Sequence, residues 1–315
     1  MKKNLLVVLL TVVLAVFAAA CGTKEAEKTS ASGEKEKEEI TVKHQLGETK
    51  VPENPKKVVV FDFGTLDSLD KLGIEAAGVP QENIPSYLSK YEDAKYENVG
   101  GLKEPDFEKI NEMEPDLIII SGRQQDSYEE MSKIAPTIFM GVDTTKYMES
   151  FKENVTTLGE IFGKEEEAEK EFAKVEESIK ELKEKASAGG EKALIVLAND
   201  GKVSAYGAGS RFGIIHDEFG FAAADEKIEV STHGQSISFE YITEKDPDYL
   251  FVIDRGAVAG GESSAKQVVE NDLVKNTKAY KNGKIIYLDP DYWYLSGGGL
   301  ESVAGMTEEV SGSIE

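Results

Sequence analysis

The sequence predicts an α/β fold of two similar lobes, each on a mainly parallel sheet, joined by a long helical segment. Three observations carry this. Short apolar runs alternate with amphipathic stretches along most of the chain. One helix–turn–strand unit occurs twice, with a constant offset of 132 residues. Between the copies, residues 147–187 carry apolar side chains at three- and four-residue steps.

The elements follow in order. Residues 1–20 read as a secretory signal: Lys2 and Lys3, then the run Leu5–Phe17, broken only by Thr11, then small residues. The 13 residues of that run are short for a membrane span. Cys21, the one cysteine, stands where cleavage is expected, so disulfides and thiol catalysis are excluded from the folded part. The stretch 22–39 lacks large apolar side chains; with Cys21 it makes a disordered tether over 21–39. Residues 40–146 read as an N-terminal α/β lobe. It has an alternating strand from Glu39, a buried strand at Lys57–Phe61, a short helix in "TLDSLDKLGI" and a helix–strand pair in "FEKINEMEPDLIII". In 147–187, Phe151, Val155, Leu158 and Phe162, then Phe172, Val175, Ile179 and Leu182, mark one helical face, with a break expected at Gly163. "ASAGGEK" ends it, and residues 188–315 resume the α/β pattern as a C-terminal lobe.

The repeat sets the two lobes side by side. "FEKINEMEPDLIIISGR" (Phe107–Arg123) and "FEYITEKDPDYLFVIDR" (Phe239–Arg255) share seven identities without a gap, ending in arginine. Arginine is scarce: of 36 basic residues, only Arg123, Arg211 and Arg255 are arginines. Ligands of open α/β sheets bind beyond the carboxyl ends of parallel strands, where Arg123 and Arg255 fall. Arg211 lies in the Gly-rich "YGAGSRFG". A guanidinium offers a planar donor fork and stacks on rings. Three of them on three loops suit a multiply anionic ligand that carries aromatic rings. The alternative is three separate surface ion pairs.

Other stretches read as cleft loops. "DYWYLSGGGLES" holds Trp293, the one tryptophan, and Tyr294, then three glycines that open the last helix. The rings suit stacking, though a buried Trp closing a lobe is an equal reading. The glycines suit an anion at a helix start. His233, in "STHGQS", is the histidine better placed for a pocket; His216 reads as a helix residue. With histidines only at 44, 216 and 233, a zinc site of the usual ligand set is not expected. No nucleophile–base motif appears, so no catalytic residue is assigned. The net charge of −23 argues against a nucleic-acid partner.

With these motifs in place, the chain resembles the lipid-anchored substrate-binding proteins of bacterial ABC importers. It is similar to their helical-backbone class, class III of the periplasmic binding proteins, which serves iron-siderophores, haem and cobalamin. The segment around Cys21 resembles a lipobox, with Ala18 where leucine is commoner. The residues that carry the likeness are "NPKKVVVFDFGTLDSLDKLG", "GGLKEPDFEKI", "KIAPTIFMGVDTTKYMESF", "STHGQS", "PDYLFVIDRG" and "WYLSGGGLES". The resemblance implies a ferric siderophore of the catecholate, petrobactin-like type as ligand, held by Arg123, Arg211 and Arg255. Iron then belongs to the siderophore, and no cofactor or protein metal ligand is expected. It further implies that Glu108 and Glu240, one per lobe, dock on a dimeric ABC permease, and that Cys21 is lipidated. The place implied is the extracytoplasmic face of the cytoplasmic membrane, and the state a monomer. Haem or cobalamin uptake is the alternative within the class, and a cell-surface hydrolase on the same lobes the alternative outside it.

Overall fold

Two sheets hold the apolar runs apart and a pair of helices joins them. The computed structural model describes residues 39–314, so the leader, Cys21 and almost all of the tether lie outside the described residues. The chain enters through an antiparallel hairpin, β1 (Glu39–His44) and β2 (Gly47–Pro52). The Thr49 hydroxyl donates to the Thr137 carbonyl at 2.9 Å and ties the hairpin to the first sheet. That sheet comprises β3 (Val58–Val60), β4 (Gly78–Val79), β5 (Glu97–Asn98), β6 (Leu117–Ile120) and β7 (Thr137–Phe139). All its pairings are parallel, in the order β5-β4-β3-β6-β7. Helix α1 (Phe63–Lys71) follows β3, capped by the Asp62 carboxylate, which accepts from the Thr65 N–H. Helix α2 (Phe107–Met113) precedes β6.

The expected long segment is two helices, α3 (Tyr147–Phe162) and α4 (Glu165–Gly189). They separate at Gly163, whose φ of 62° is the left-handed conformation that glycine takes at a helix end. The second sheet comprises β8 (Lys192–Asn199), β9 (Lys202–Tyr206), β10 (Ala222–Ala223), β11 (Gln235–Ile237), β12 (Tyr249–Asp254) and β13 (Ile285–Leu288). Its order is β11-β9-β8-β12-β13, with β10 beside β8. It is parallel except for β9, which runs antiparallel to β8. Asp200 and Gly201 both have positive φ, which fits a tight hairpin between the two. Helix α5 (Phe239–Lys245) precedes β12, and α6 (Leu300–Gly312) closes the chain.

The strands alternate in what they bury. Leu117 and Ile119 of β6, with Ile195 of β8 and Phe251 of β12, face Phe151, Phe172 and Leu182 in one core that runs through both lobes. Ile118 and Ile120 face a second core and Leu194, Val196 and Leu250 a third, on the outer sides of the two sheets. Parallel strands covered on both faces read as unbroken apolar runs for this reason. A core shared between both sheets and the paired helices favours small lobe motions over a wide hinge.

The sequence repeat is also a structural one. Asp106 and Ser238 cap α2 and α5 through the N–H groups of Lys109 and Tyr241. Both helices end on a left-handed non-glycine residue, Glu114 at φ 46° and Asp246 at φ 39°. The aspartate of each Pro-Asp pair then reaches back to the neighbouring strand's entry. Asp116 accepts from the N–H groups of Lys56 and Lys57 at 2.9 Å each, and Asp248 from that of Lys192 at 3.0 Å. The shared aspartate is thus a strand clamp in both lobes.

Candidate ligand-binding cleft

A cleft of about 1060 Å³ opens between the two sheets, and all three arginines line it. Arg123 lies in the short helical turn Gly122–Ser127 directly after β6, and Arg255 opens the helix Arg255–Ala259 directly after β12. Arg211 arrives on the loop after β9, ahead of the short helix Ile214–Asp217.

The three guanidinium groups gather round one residue. Tyr294 sits in the wide turn Asp291–Leu295, in which the Ser296 N–H reaches the Asp291 carbonyl five residues back. Turns of this kind are rare and recur at functional sites. Arg123 donates to the Tyr294 carbonyl at 2.7 Å and to the Leu295 carbonyl at 3.3 Å. Arg211 donates to the same Tyr294 carbonyl and lies over the Tyr294 ring, 4.5 Å from its centre. Arg255 donates through Nε to the Tyr294 hydroxyl at 3.0 Å and through Nη1 to Asn199 Oδ1 at 2.8 Å. Among the described residues, no carboxylate lies within ion-pair distance of any of the three. Loss of water around Arg211, with the like charge of Arg123 beside it, lowers that guanidinium to about 10, still protonated at neutral pH. Burial pushes the Tyr294 phenol up, but the Arg255 hydrogen bond and the three positive charges outweigh it and leave the phenol below its ordinary value. The arrangement is a cationic triangle, held by neutral acceptors and preorganised for an anion.

The other candidates fall as follows. His233 lines the cleft and is exposed at its edge. Trp293 borders the cleft at only 2% exposure. Its indole N–H is donated to Glu309 at 2.9 Å, and the ring packs into the core. His216 lies in the helix Ile214–Asp217, with its Nδ1 3.0 Å from the Phe221 carbonyl. Glu108 and Glu240 are exposed in the first turns of α2 and α5, one on each lobe. Among the described residues, no group of three or more His, Cys, Asp or Glu is arranged to hold a metal, and no helix is long and apolar enough to cross a membrane.

Two readings are corrected. The glycine run at 297–299 offers no anion site, because the anion there is internal. The Asp67 carboxylate accepts from the Glu301 and Ser302 N–H groups at 3.1 and 3.0 Å, and Ser68 Oγ accepts from the Leu300 N–H at 3.0 Å. Glycine is needed at 299 because a Cβ there would collide with the Asp67 carboxylate and the Gly64 carbonyl. The same contacts draw α6 onto α1, so the last part of 188–315 packs on the N-terminal lobe.

Several cleft residues escaped the sequence reading. Lys103 lines the N-terminal wall, and its loop is held by Gln124, which donates to the Leu102 carbonyl at 2.6 Å. Lys202 and Asn199 flank the β8–β9 turn, and Gln45 reaches the cleft from the tip of the entry hairpin. An Asp-Gly pair between apolar runs was the available signal for that turn. Nothing marks Gln45 or Lys103 among the chain's other polar residues.

The fold and cleft define a two-lobed binding protein for a small ligand. The chain belongs to the Periplasmic binding protein family, whose pattern matches residues 58–292. It is 57% identical to the petrobactin-binding protein YclQ of Bacillus subtilis (strain 168), over 99% of this chain and 99% of that protein. It is 34% identical to the ferric-anguibactin-binding protein FatB of Vibrio anguillarum, over 86% of each. The crystal structure of YclQ superposes with a TM-score of 0.87 at 60% identity, covering 89% of this chain and 99% of that one. The periplasmic catecholate-siderophore binding protein VctP of Vibrio cholerae superposes with a TM-score of 0.83 at 39% identity, covering 87% and 100%.

Proposed function

We propose that this protein is the substrate-binding component of an ABC importer, capturing a ferric siderophore of the catecholate, petrobactin-like type and passing it to a membrane permease. The observation that carries the reading is the convergence of Arg123, Arg211 and Arg255 on Tyr294 with no ion-paired carboxylate among the described residues. A ferric catecholate is anionic and aromatic; it answers both the charge and the ring. Iron arrives held by the siderophore, and the protein breaks no bond. The names of YclQ and VctP support the ligand class. Lys103 and Lys202 add positive charge to the two walls.

Delivery follows from the symmetry of the lobes. Glu108 and Glu240 project from equivalent helix starts and form a matched pair for a dimeric permease. Their place in the first helical turn is also favoured by the helix dipole, and both roles hold together. Lipidated Cys21 and the tether keep the monomeric receptor at the extracytoplasmic face of the membrane.

The test uses Trp293, the one tryptophan, as reporter. The expected result is that ferric petrobactin quenches its emission saturably, that haem and cobalamin do not, and that the ligand's mass is unchanged after incubation. Tight binding of haem without response to ferric catecholates would overturn the assignment.

A further inference from the structure

The carbonyls of Tyr294 and Leu295 hold Arg123 and Arg211, so whatever fixes those carbonyls fixes the site. Five residues beyond Leu295, Leu300 begins a run in which it, Glu301 and Ser302 give their N–H groups to Ser68 and Asp67. Asp67 lies on α1 of the N-terminal lobe and has no exposed surface. A second strut runs from the other side. Ser296 and the Tyr87 hydroxyl are 2.6 Å apart, and Tyr87 donates to Asp67 at 3.1 Å. With its proton on Asp67, the Tyr87 oxygen accepts from Ser296. One buried carboxylate thus holds both ends of the segment 296–302, immediately after the two arginine-bearing carbonyls.

We propose that Asp67 is a positioning residue for the arginine cluster: by anchoring Ser296 through Tyr87 and the start of α6 directly, it sets the carbonyls that aim Arg123 and Arg211 into the cleft. The proposal rests on the ligand reading above, since it assumes that the arginines bind the anion. The charged carboxylate suits this place. It sits at the start of a helix of 13 residues, accepts from two main-chain N–H groups, and no lysine, arginine or histidine pairs with it among the described residues. The titratable groups facing it are tyrosines and acids. They are Tyr87 and Tyr91 of the segment 86–92, Tyr147 of α3, Tyr292 of the wide turn, Glu301 of α6 and Asp62 at the start of its own helix. Burial lifts the Asp67 carboxyl to about 7, against the downward pull of its hydrogen bonds from Ser302, Glu301 and Tyr87. Protonation turns one acceptor oxygen into a donor facing N–H groups. The cap then loosens and the arginine-bearing carbonyls lose their anchor.

The experiment compares the unaltered protein with Asp67→Asn between pH 6 and 8.5, using ferric petrobactin as probe. Taking the ratio of the two dissociation constants cancels the siderophore's own titration. The expected ratio is about tenfold at pH 8, equal to ~1.4 kcal/mol, and falls toward one below pH 6.5. A ratio that does not change with pH reduces Asp67 to a structural cap and overturns the proposal. Trp293 emission without ligand gives a second readout: a transition near pH 7 in the unaltered protein that Asp67→Asn lacks. Its presence in both, or in neither, counts against the proposal. If Asp67→Asn does not fold, Tyr87→Phe carries the test, with an affinity loss of about threefold expected from one neutral hydrogen bond. Unchanged affinity in Tyr87→Phe overturns the proposal. Failure of the unaltered protein to bind ferric petrobactin overturns the ligand reading and the affinity prediction with it, while the ligand-free emission still decides whether Asp67 sets this loop.

Discussion

The two copies of the helix–turn–strand unit agree in scaffold and differ in how they hold their last residue. In both, a seven-residue helix is capped at its start, ends on a left-handed acid and passes through Pro-Asp into a buried parallel strand. In both, that aspartate clamps the neighbouring strand. The terminal arginines then part ways. Arg123 is held by main-chain carbonyls 171 and 172 residues on. Arg255 is held by two side chains, Asn199 of its own lobe and the Tyr294 hydroxyl. The repeated part builds the lobes; the unrepeated contacts build the site. One wall takes its geometry from the main chain of a distant turn, the other from a strand of its own sheet and a side chain of that turn.

Deleting the arginines probes the part the copies share. Arg123→Ala and Arg255→Ala should each weaken ferric petrobactin binding by about 2–5 kcal/mol, read by Trp293 quenching, because an engaged anionic group is left unpaired. Asp116→Ala should lower stability by about 0.5–1.5 kcal/mol, read from the urea midpoint, since it removes two hydrogen bonds to the main chain at the entry to β3. Asp248→Ala should act in the same sense, and neither should change affinity by much. Tyr294→Phe separates the two walls. It removes the acceptor for Arg255 and leaves the carbonyl that Arg123 and Arg211 use, so it should cost about 0.5–1.5 kcal/mol of binding. An effect as large as that of Arg123→Ala would mean that the phenol serves the ligand directly. Smallest in binding are Glu108→Lys and Glu240→Lys. Both should leave affinity unchanged and reduce siderophore uptake by cells.

Stability should also depend on pH through Asp67. Its carboxyl is raised in the folded protein relative to the usual carboxylate range. The folded state therefore binds this proton more readily than the unfolded chain. The stabilisation is full below about pH 4 and is lost as pH rises through about 7. His216 acts in the opposite sense, because burial lowers it and its contribution is lost as pH falls. Melting temperatures of the unaltered protein and Asp67→Asn across pH 5–8 check the first term.

The lobes, the paired helices and the break at Gly163 were legible because apolar periodicity and glycine are local signals. The arginines were legible for another reason: three in a chain of lysines, two at equivalent points of a repeat, stand out by chemistry alone. What holds them was not. Arg123 and Arg211 both reach the carbonyl of Tyr294, and a main-chain acceptor leaves no mark in the sequence. Trp293 and Tyr294 are neighbours, yet one packs on Glu309 and the other faces the cleft; composition does not distinguish them. The glycines after them suggested an anion, and the anion proved to be Asp67, 232 residues earlier in the chain than Gly299. A partner that distant has no spacing to read.

The central claim is that three arginines from both lobes form one anion site around Tyr294. The most direct measurement is the dissociation constant for ferric petrobactin of the protein and of its Arg123→Ala and Arg255→Ala variants, by Trp293 quenching in one buffer. The account predicts tight, saturable quenching by the unaltered protein and a loss of at least about thirtyfold in each variant, the low end of the expected free-energy cost. Equal affinity in all three proteins would contradict it.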